Sequence, residues 1–124
     1  MTFVCSEQMD CKAFATSWEK GWNSHDLEQI MGHYRDDIVF RSLKAIPLVG
    51  DGEIRGKQAL RDYWAAALRR QPDLKFSVQE VFEGHDMLVI LYRNHKNILA
   101  TETLYFDADA MVHQAAACHR SPGR

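Results

Sequence analysis

Several features that mark other protein classes are scarce or missing in this chain. It has three cysteines, Cys5, Cys11 and Cys118, and their spacing fits neither a disulfide framework nor a metal site. No apolar run is long enough to span a bilayer. The first ten residues lack the basic and apolar segments of a signal peptide. We therefore expect one cytoplasmic domain over residues 1–124, with reduced thiols and no metal ion.

An excess of charge of one sign is also missing. Fifteen lysines and arginines stand against seventeen aspartates and glutamates, which gives a formal net charge of −2 at pH 7. Nucleic acids and anionic membranes attract strongly basic proteins, so we expect neither as a partner. Only three prolines and seven glycines are present, and no linker divides the chain. A hydrophobic content of 46% is typical of a globular domain with a buried core.

Apolar residues recur at helical spacing in three segments. The first predicted helix runs from about Glu7 to Trp22. A second, short helix follows Ser24 or Asn23, either of which can accept a hydrogen bond from its first turn. Its apolar stripe extends to Tyr34. The third predicted helix runs from about Lys57 to Arg70, and a proline shortly after it prevents continuation.

Strand character dominates the rest of the chain. Runs of β-branched and aromatic residues predict strands over about Ile38–Leu43, Lys75–Glu83, Met87–Asn94, Ile98–Phe106 and Met111–His119. Helices followed by successive antiparallel strands indicate an α+β domain. The segment Lys44–Arg55 is predicted to be a long loop with an apolar tip. Such a loop is either a lid or a segment that packs on the core or on a partner.

Four groups of residues stand in a characteristic order along the chain. They are Trp18–Leu27, Tyr34–Phe40, Ile54–Leu60 followed by Tyr63-Trp64, and Glu102–Asp109. This order resembles the nuclear transport factor 2-like superfamily, in particular its SnoaL-like branch, over about Phe14 to His119. The resemblance implies three N-terminal helices packed in a strongly curved, mainly antiparallel sheet. Such a cystatin-like α+β fold forms a cone-shaped pocket.

The resemblance implies small-molecule binding more directly than it implies one reaction. Members of the superfamily include isomerases, cyclases, hydrolases and non-catalytic binding modules. We expect an apolar or aromatic small molecule in the conical pocket, with acid/base chemistry that needs no cofactor. The alternative is a non-catalytic ligand-binding or dimerisation module. We expect a homodimer through the sheet face, because an antiparallel sheet with an apolar outer face needs cover.

Comparison with the ketosteroid isomerases of this superfamily shows which catalytic groups the chain has. The position of their carboxylate base falls on or near Ser42, that of their tyrosine near Trp18, and that of their oxyanion-binding aspartic acid near Glu102. Serine cannot act as a carboxylate base, so we expect no ketosteroid isomerase activity. The SnoaL-like cyclases use an acid and a histidine, whose nearest equivalents here are Glu102 and His119. These two are the predicted catalytic residues.

Glu102 lies within an apolar strand, and a period of two places it on one face with Leu104 and Phe106. If that face lines the pocket, burial raises the pKa of the carboxyl and suits it to proton transfer near neutral pH. If Glu102 instead pairs with Arg93 on the preceding strand, it is a structural carboxylate. The sequence favours neither reading over the other.

The remaining predicted site residues are mostly aromatic. Small-molecule pockets are often lined by aromatic groups with a few polar atoms, and Trp and Tyr are hard to bury without a partner for those atoms. Filling of the core is the alternative role for the same side chains. The predicted ligand-binding set is Trp18, Phe40, Trp64, Tyr92, Arg93, Leu104 and Phe106.

Overall fold

A computed structural model describes residues 10–122 of the chain. Its helices are α1 (Cys11–Ser24), α2 (Leu27–Met31), α3 (Ile46–Val49) and α4 (Lys57–Arg70). Its strands are β1 (Tyr34–Arg41), β2 (Glu53–Arg55), β3 (Ser77–Gly84), β4 (Met87–Arg93), β5 (Leu99–Phe106) and β6 (Val112–His119). The α+β class is confirmed.

The six strands form one curved, open sheet in the order β2-β1-β6-β5-β4-β3. Every neighbouring pair is antiparallel except β1 and β6, which run parallel. This parallel pairing of the first and last strands places β1 second from the edge of the sheet, between β2 and β6. The expected mainly antiparallel sheet is therefore confirmed, while α4 follows two strands and does not precede the sheet.

The first helix begins at Cys11, because the Asp10 carboxylate accepts hydrogen bonds from the backbone N–H groups of Lys12 and Ala13. The three residues that would extend it back to Glu7 lie outside the described part. The helix continues past Trp22 to Ser24. It ends at His25, which adopts a left-handed conformation with φ of 61°.

The predicted cap of the second helix is wrong. Asp26 caps α2, because its carboxylate accepts the backbone N–H of Glu28 at 3.0 Å. Ser24 donates its hydroxyl to the carbonyl of Gly21 instead. Asn23 exchanges two hydrogen bonds with the backbone of Phe76, so its amide connects α1 to the segment before β3.

The first strand and the following loop also differ from expectation. Tyr34 begins β1 and is fully buried, whereas Leu43 lies beyond the strand in a 3-10 turn and is 81% exposed. The segment Lys44–Arg55 is not a loop without structure. It contains α3 and β2, and β2 pairs with β1. Pairing between distant strands decided these bounds, and local propensity does not report it.

The core lies between the inner face of the sheet and the helices. Along β4 and β5 every second side chain faces inward, as strand geometry requires, whereas a shift in register at the start of β6 places both Val112 and Ala115 on the inner face. Helix α1 supplies one apolar stripe, from Cys11 to Trp22, and α4 supplies another. Trp64 of α4 meets Phe40, Tyr34 and Trp22 edge to face, with ring centroids 4.9 to 5.4 Å apart.

Candidate functional site

A cavity of about 80 Å³ opens between α4, the inner face of the sheet and the turn after β1. Its apolar walls come from Trp22, Phe40, Tyr63, Trp64, Ala67, Leu74, Phe76, Tyr92 and Ala117. Its polar lining consists of Ser42, Lys44, Gln71, Asn94, Glu102 and His119. A few polar groups among aromatic walls are typical of a small-molecule site.

The register of the sheet brings the two predicted catalytic residues to one wall. Glu102 of β5 faces Ala117 of β6, and Ala100 faces His119. Paired residues of an antiparallel ladder share a face, so Glu102 and His119 are diagonal neighbours on the inner face. The small side chain of Ala117 leaves the space in front of the carboxyl open.

Glu102 is a buried carboxyl without a partner. It is 4% exposed, and within residues 10–122 no cation pairs with it and no group donates a hydrogen bond to it. Burial raises its pKa to about 8, because the apolar surroundings disfavour the charged form. At neutral pH most of the population is therefore protonated, and the group can donate a proton or a hydrogen bond.

Arg93 does not neutralise this carboxyl. Arg93 pairs with Leu99 in the sheet, one position out of phase with the pairing of Tyr92 with Ala100, and so faces outward. Its guanidinium donates to the backbone and side-chain oxygens of Asn97. Glu102 is therefore not a structural carboxylate paired with Arg93.

The charge of Glu102 would affect three buried tyrosine hydroxyls. The pKa values of Tyr34, Tyr63 and Tyr92 are all raised, first by burial and then by the negative charge that Glu102 would carry. The Tyr34 hydroxyl and the Trp18 indole N–H lie close to each other, but neither has a hydrogen bond of good geometry in the described structure. The three tyrosine hydroxyls and the Trp18 indole N–H are all uncharged hydrogen-bond donors near neutral pH.

His119 is held in the opposite protonation state. It is half-buried, and burial lowers the pKa of its imidazole to about 4, with a smaller contribution from the positive charge of Lys44. The ring is therefore neutral at physiological pH and can accept a proton. Neighbouring groups whose pKa values are moved apart in this way are suited to act as an acid and a base.

The cavity includes five of the nine predicted site residues, namely Phe40, Trp64, Tyr92, Glu102 and His119. The other four lie elsewhere. Leu104 and Phe106 continue the inner face of β5 beyond the cavity and are 0% and 3% exposed. Trp18 packs behind the wall against Phe76 and Tyr92. Arg93 lies on the outer face.

Several polar lining residues were not among the predicted site residues. Lys44 follows β1 in a 3-10 turn, Gln71 caps the end of α4, and Asn94 begins the turn after β4. Each comes from a different connection between elements. No local pattern marks them, because only the curvature of the sheet places these connections at one opening.

No group of metal-binding side chains occurs among residues 10–122. No helix in the described part of the chain is long and apolar enough to cross a membrane. Three other exposed grooves are lined mainly by charged and polar residues. A fourth groove has a more apolar lining but contains no Phe, Tyr or Trp, and consists of Leu91, Leu99, Ala100, Thr101, Cys118, His119 and Arg120. Within the described structure, the cavity at Glu102 is thus the place where enclosed aromatic walls and titratable groups coincide.

A family model described as the SnoaL-like domain matches residues 15–120. The chain belongs to the SnoaL-like family. A SnoaL-like protein of unknown function from Burkholderia thailandensis is 35% identical, with 92% of this chain and 97% of that chain covered and a TM-score of 0.87. The expected family is therefore confirmed. A comparison with curated proteins finds no match.

More distant solved structures share the SnoaL-like fold. TerC, crystallised together with polyporic acid, is 12% identical, with 88% of this chain and 90% of that chain covered and a TM-score of 0.72. A provisionally named polyketide cyclase from Sinorhizobium meliloti is 13% identical, with 89% and 97% covered and a TM-score of 0.73. Nuclear transport factor 2-like and cystatin-like proteins also match, which confirms the expected fold.

Proposed function

We propose that this SnoaL-like protein binds a small aromatic molecule in the cavity and moves a proton on it. Glu102 is the acid and His119 the base, and no cofactor takes part. The observation that carries the proposal is the Glu102 carboxyl, which is buried without a partner against an aromatic cavity. Burial of this kind costs stability, and such costs are commonly retained where the group serves a function.

The chemistry follows from the two protonation states. A ligand carbonyl next to Glu102 accepts a hydrogen bond from the protonated carboxyl, which stabilises negative charge on that oxygen. Neutral His119 removes a proton from the adjacent carbon, the electron pair of the C–H bond becomes the C=C bond, and the carbonyl oxygen takes the proton of Glu102 to give an enol. Isomerisation follows when protonated His119 returns its proton to the far carbon of a conjugated C=C bond and the enol O–H proton goes back to Glu102. Ring closure follows when the enol carbon attacks a second carbonyl of the ligand, whose oxygen takes the proton of His119 while the enol O–H proton goes back to Glu102. The pKa of about 8 keeps both forms of Glu102 accessible near neutral pH.

The relatives support the choice of ligand class. TerC was crystallised together with polyporic acid, and the structure from Sinorhizobium meliloti is provisionally named a polyketide cyclase. Here Phe40, Trp64 and Tyr92 line the cavity, and ligand rings pack well on aromatic walls. A cytoplasmic location is part of the proposal, since the Cys118 thiol is free and exposed.

The test combines a ligand screen with an exchange assay. Thermal shifts are measured for the wild type, Glu102→Gln and Glu80→Gln against aromatic ketones, lactones, epoxides and polyketide-like aromatics. Glu80 is an exposed glutamate on β3 and serves as the matched control. For each ketone that binds, exchange of the protons next to the carbonyl is followed in D₂O by NMR. We expect exchange with the wild type and Glu80→Gln, and a loss of roughly 100-fold or more with Glu102→Gln.

Exchange at an equal rate in Glu102→Gln and the wild type would remove Glu102 from the mechanism. Binding with no exchange in any variant would favour the second candidate, a ligand-binding or dimerisation module. That candidate is supported by the sheet's outer face, where Met87, Val89 and Leu91 of β4 are partly exposed. We propose that a second copy covers this face.

The dimer is tested by light scattering after size-exclusion chromatography. A wild-type mass of twice 14.3 kDa is expected. Leu91→Glu should shift the protein toward the monomer, because it buries a charge in the proposed interface. A control substitution, Leu43→Glu, changes a leucine that is 81% exposed in the turn after β1 and should leave the mass unchanged. A wild-type monomer would contradict this part of the proposal.

A further inference from the structure

The opening of the cavity carries a positive charge that lacks a counter-charge. Lys44 lines the cavity and is otherwise exposed, so its side chain lies at the opening. Among residues 10–122 no carboxylate lies within ion-pair distance of its ammonium. Arg41 and Arg55, which line a surface groove, are both paired with Glu53. Lys20 and Lys57 line other grooves and have no ion pair among the described residues, but Lys44 differs from them in standing at the aromatic cavity.

The local structure holds Lys44 in this place. Ser42 ends the extended segment of β1, and its hydroxyl accepts the backbone N–H of Lys44 at 3.2 Å. Ala45, the next residue, is fully buried and anchors the 3-10 turn to the core. The backbone of Lys44 is thus fixed on both sides, and only the flexible stem of the side chain can adjust to a ligand.

The charges around Lys44 do not compensate it. Lys96, from the turn after β4, is close enough to repel it, and burial together with this repulsion lowers the pKa of Lys44. His119 is neutral at physiological pH and is itself affected by the Lys44 charge. The remaining polar groups at the opening, Gln71 and Asn94, are uncharged amides.

The interior of the cavity does not supply an anion either. Glu102 is the single carboxyl among the lining residues of the described structure, and it is mostly protonated at neutral pH. With Lys44 charged and His119 neutral, the lining carries a net positive charge at neutral pH. An anion placed at the opening would both pair with Lys44 and relieve its repulsion from Lys96.

We propose that the natural ligand is an aromatic acid, whose ring lies between the aromatic walls and whose anionic group lies at the opening beside Lys44. This rests on the proposed function and specifies its ligand class. The amide groups of Gln71 and Asn94 can donate further hydrogen bonds to the same anionic group. The acid end then stays in contact with water, while the reacting part of the molecule faces Glu102.

The test compares two probes that differ in charge and little in shape, phenylacetate and 2-phenylethanol. Binding is followed through the indole N–H signals of ¹⁵N-labelled protein, since Trp22 and Trp64 line the cavity and Trp18 lies behind its wall. We expect the wild type to bind phenylacetate roughly five- to tenfold more tightly. Lys44→Met should abolish this preference by weakening phenylacetate alone, since the apolar stem is retained.

The matched control is Lys20→Met, which removes the same charge from an exposed position on α1 away from the cavity. It should keep the preference. Salt provides a second check, because raising NaCl to about 1 M should shrink the preference in the wild type by screening the pair.

Equal binding of both probes to the wild type, or a preference that survives in Lys44→Met, would overturn the inference. The proton-transfer proposal would stand in that case, because it depends on Glu102 and not on Lys44. Conversely, a clear acid preference together with unchanged exchange in Glu102→Gln would support the ligand class and remove the proposed chemistry. Failure of both probes to shift the Trp22 and Trp64 signals would overturn binding at this cavity and the inference with it.

Discussion

The inner face of the sheet has two ends, which are built from the same pair of strands, β5 and β6. One end is packed with apolar side chains, and the other borders the cavity. At the closed end, Leu104 of β5 faces Ala115 of β6, and both are almost fully buried among apolar side chains. At the open end, Glu102 faces Ala117 across the same two strands and meets a cavity. One step of two residues along the strand thus separates a packed core from a candidate site.

The exposed fraction of a side chain does not by itself distinguish the packed end from the end with the cavity. Leu104 and Glu102 are 0% and 4% exposed, so their accessibility is nearly the same. The leucine is surrounded by atoms that gain dispersion energy from it, whereas the carboxyl has lost water and gained no partner. The open end is therefore costly in folding energy, and the closed end supplies stability that offsets this cost.

The largest effect is expected from Leu104→Ala at the closed end. Removing a fully buried leucine side chain leaves a cavity and should lower the free energy of unfolding by about 3 to 5 kcal/mol. Urea denaturation measures this change. The control is Leu43→Ala, at a leucine that is 81% exposed, which should change stability by less than about 0.5 kcal/mol. Comparable losses from both substitutions would mean that the closed end is not well packed.

The next largest effect is a pH dependence that belongs to the open end. The Glu102 pKa is raised from 4.5 to about 8 in the folded protein, so the unfolded chain ionises first as the pH rises. The folded state is therefore penalised progressively between pH 4.5 and about 8, and the penalty reaches about 3 kcal/mol at pH 7. Below pH 4.5 the carboxyl is protonated in both states and the penalty is absent.

Glu102→Gln should remove this loss, because the amide stays neutral at every pH. Urea denaturation at a series of pH values measures the slope for the wild type, Glu102→Gln and the surface control Glu80→Gln. A slope that is the same in all three proteins would show that the carboxyl is hydrated or paired in solution.

A matched pair of substitutions on β6 compares the two ends directly. Ala115→Leu adds atoms opposite Leu104, where no space is present, and should destabilise the protein by about 1 to 3 kcal/mol. Ala117→Leu adds the same atoms to the cavity and should cost less than about 1 kcal/mol. It should also reduce ligand binding by roughly tenfold or more, since it fills the space in front of Glu102. Thermal denaturation measures the stability of the two variants, and the indole titration measures their ligand binding. Equal destabilisation by the two substitutions would contradict the predicted difference between the closed and the open end.

The smallest predicted effect concerns His119. Its pKa is lowered from 6.5 to about 4, so the unfolded chain takes up a proton first as the pH falls through this range, and stability is lost. The ring is half-buried and water screens it, so the loss should be less than about 1 kcal/mol. His119→Gln should flatten the acid side of the stability profile, whereas His113→Gln, at a surface groove, should not. An unchanged acid slope in His119→Gln would place the ring in solvent.

Secondary structure was predicted well where one element carries its own pattern. The apolar stripe of α4 and the alternation along β5 follow from side-chain periodicity, and both elements lie where the sequence indicated. The start of β1 was missed, because Tyr34 also continues the apolar stripe of α2. Its strand conformation depends on pairing with Val112, which is 78 residues away in the chain.

The candidate site was predicted only in part, because it also depends on contacts between segments that are distant in the chain. Strand alternation predicted that Glu102 shares one face with Leu104 and Phe106, and the structure shows that this is the inner face. The alternation of side chains along a strand does not distinguish a position that faces packed side chains from one that faces a cavity. The shift in register at the start of β6 likewise sends His113 to a surface groove and His119 to the cavity.

The sequence by itself determined the order of most elements, the family and the strand face that Glu102 shares with Leu104 and Phe106. These follow from local periodicity and from short motifs, which depend on neighbouring residues alone. Only the tertiary structure decided that the carboxyl has no partner, that His119 lies beside it, and that Lys44 stands at the opening. Such relations depend on distances between segments remote in the chain, which arise when the sheet curves around the helices and leaves one end unfilled.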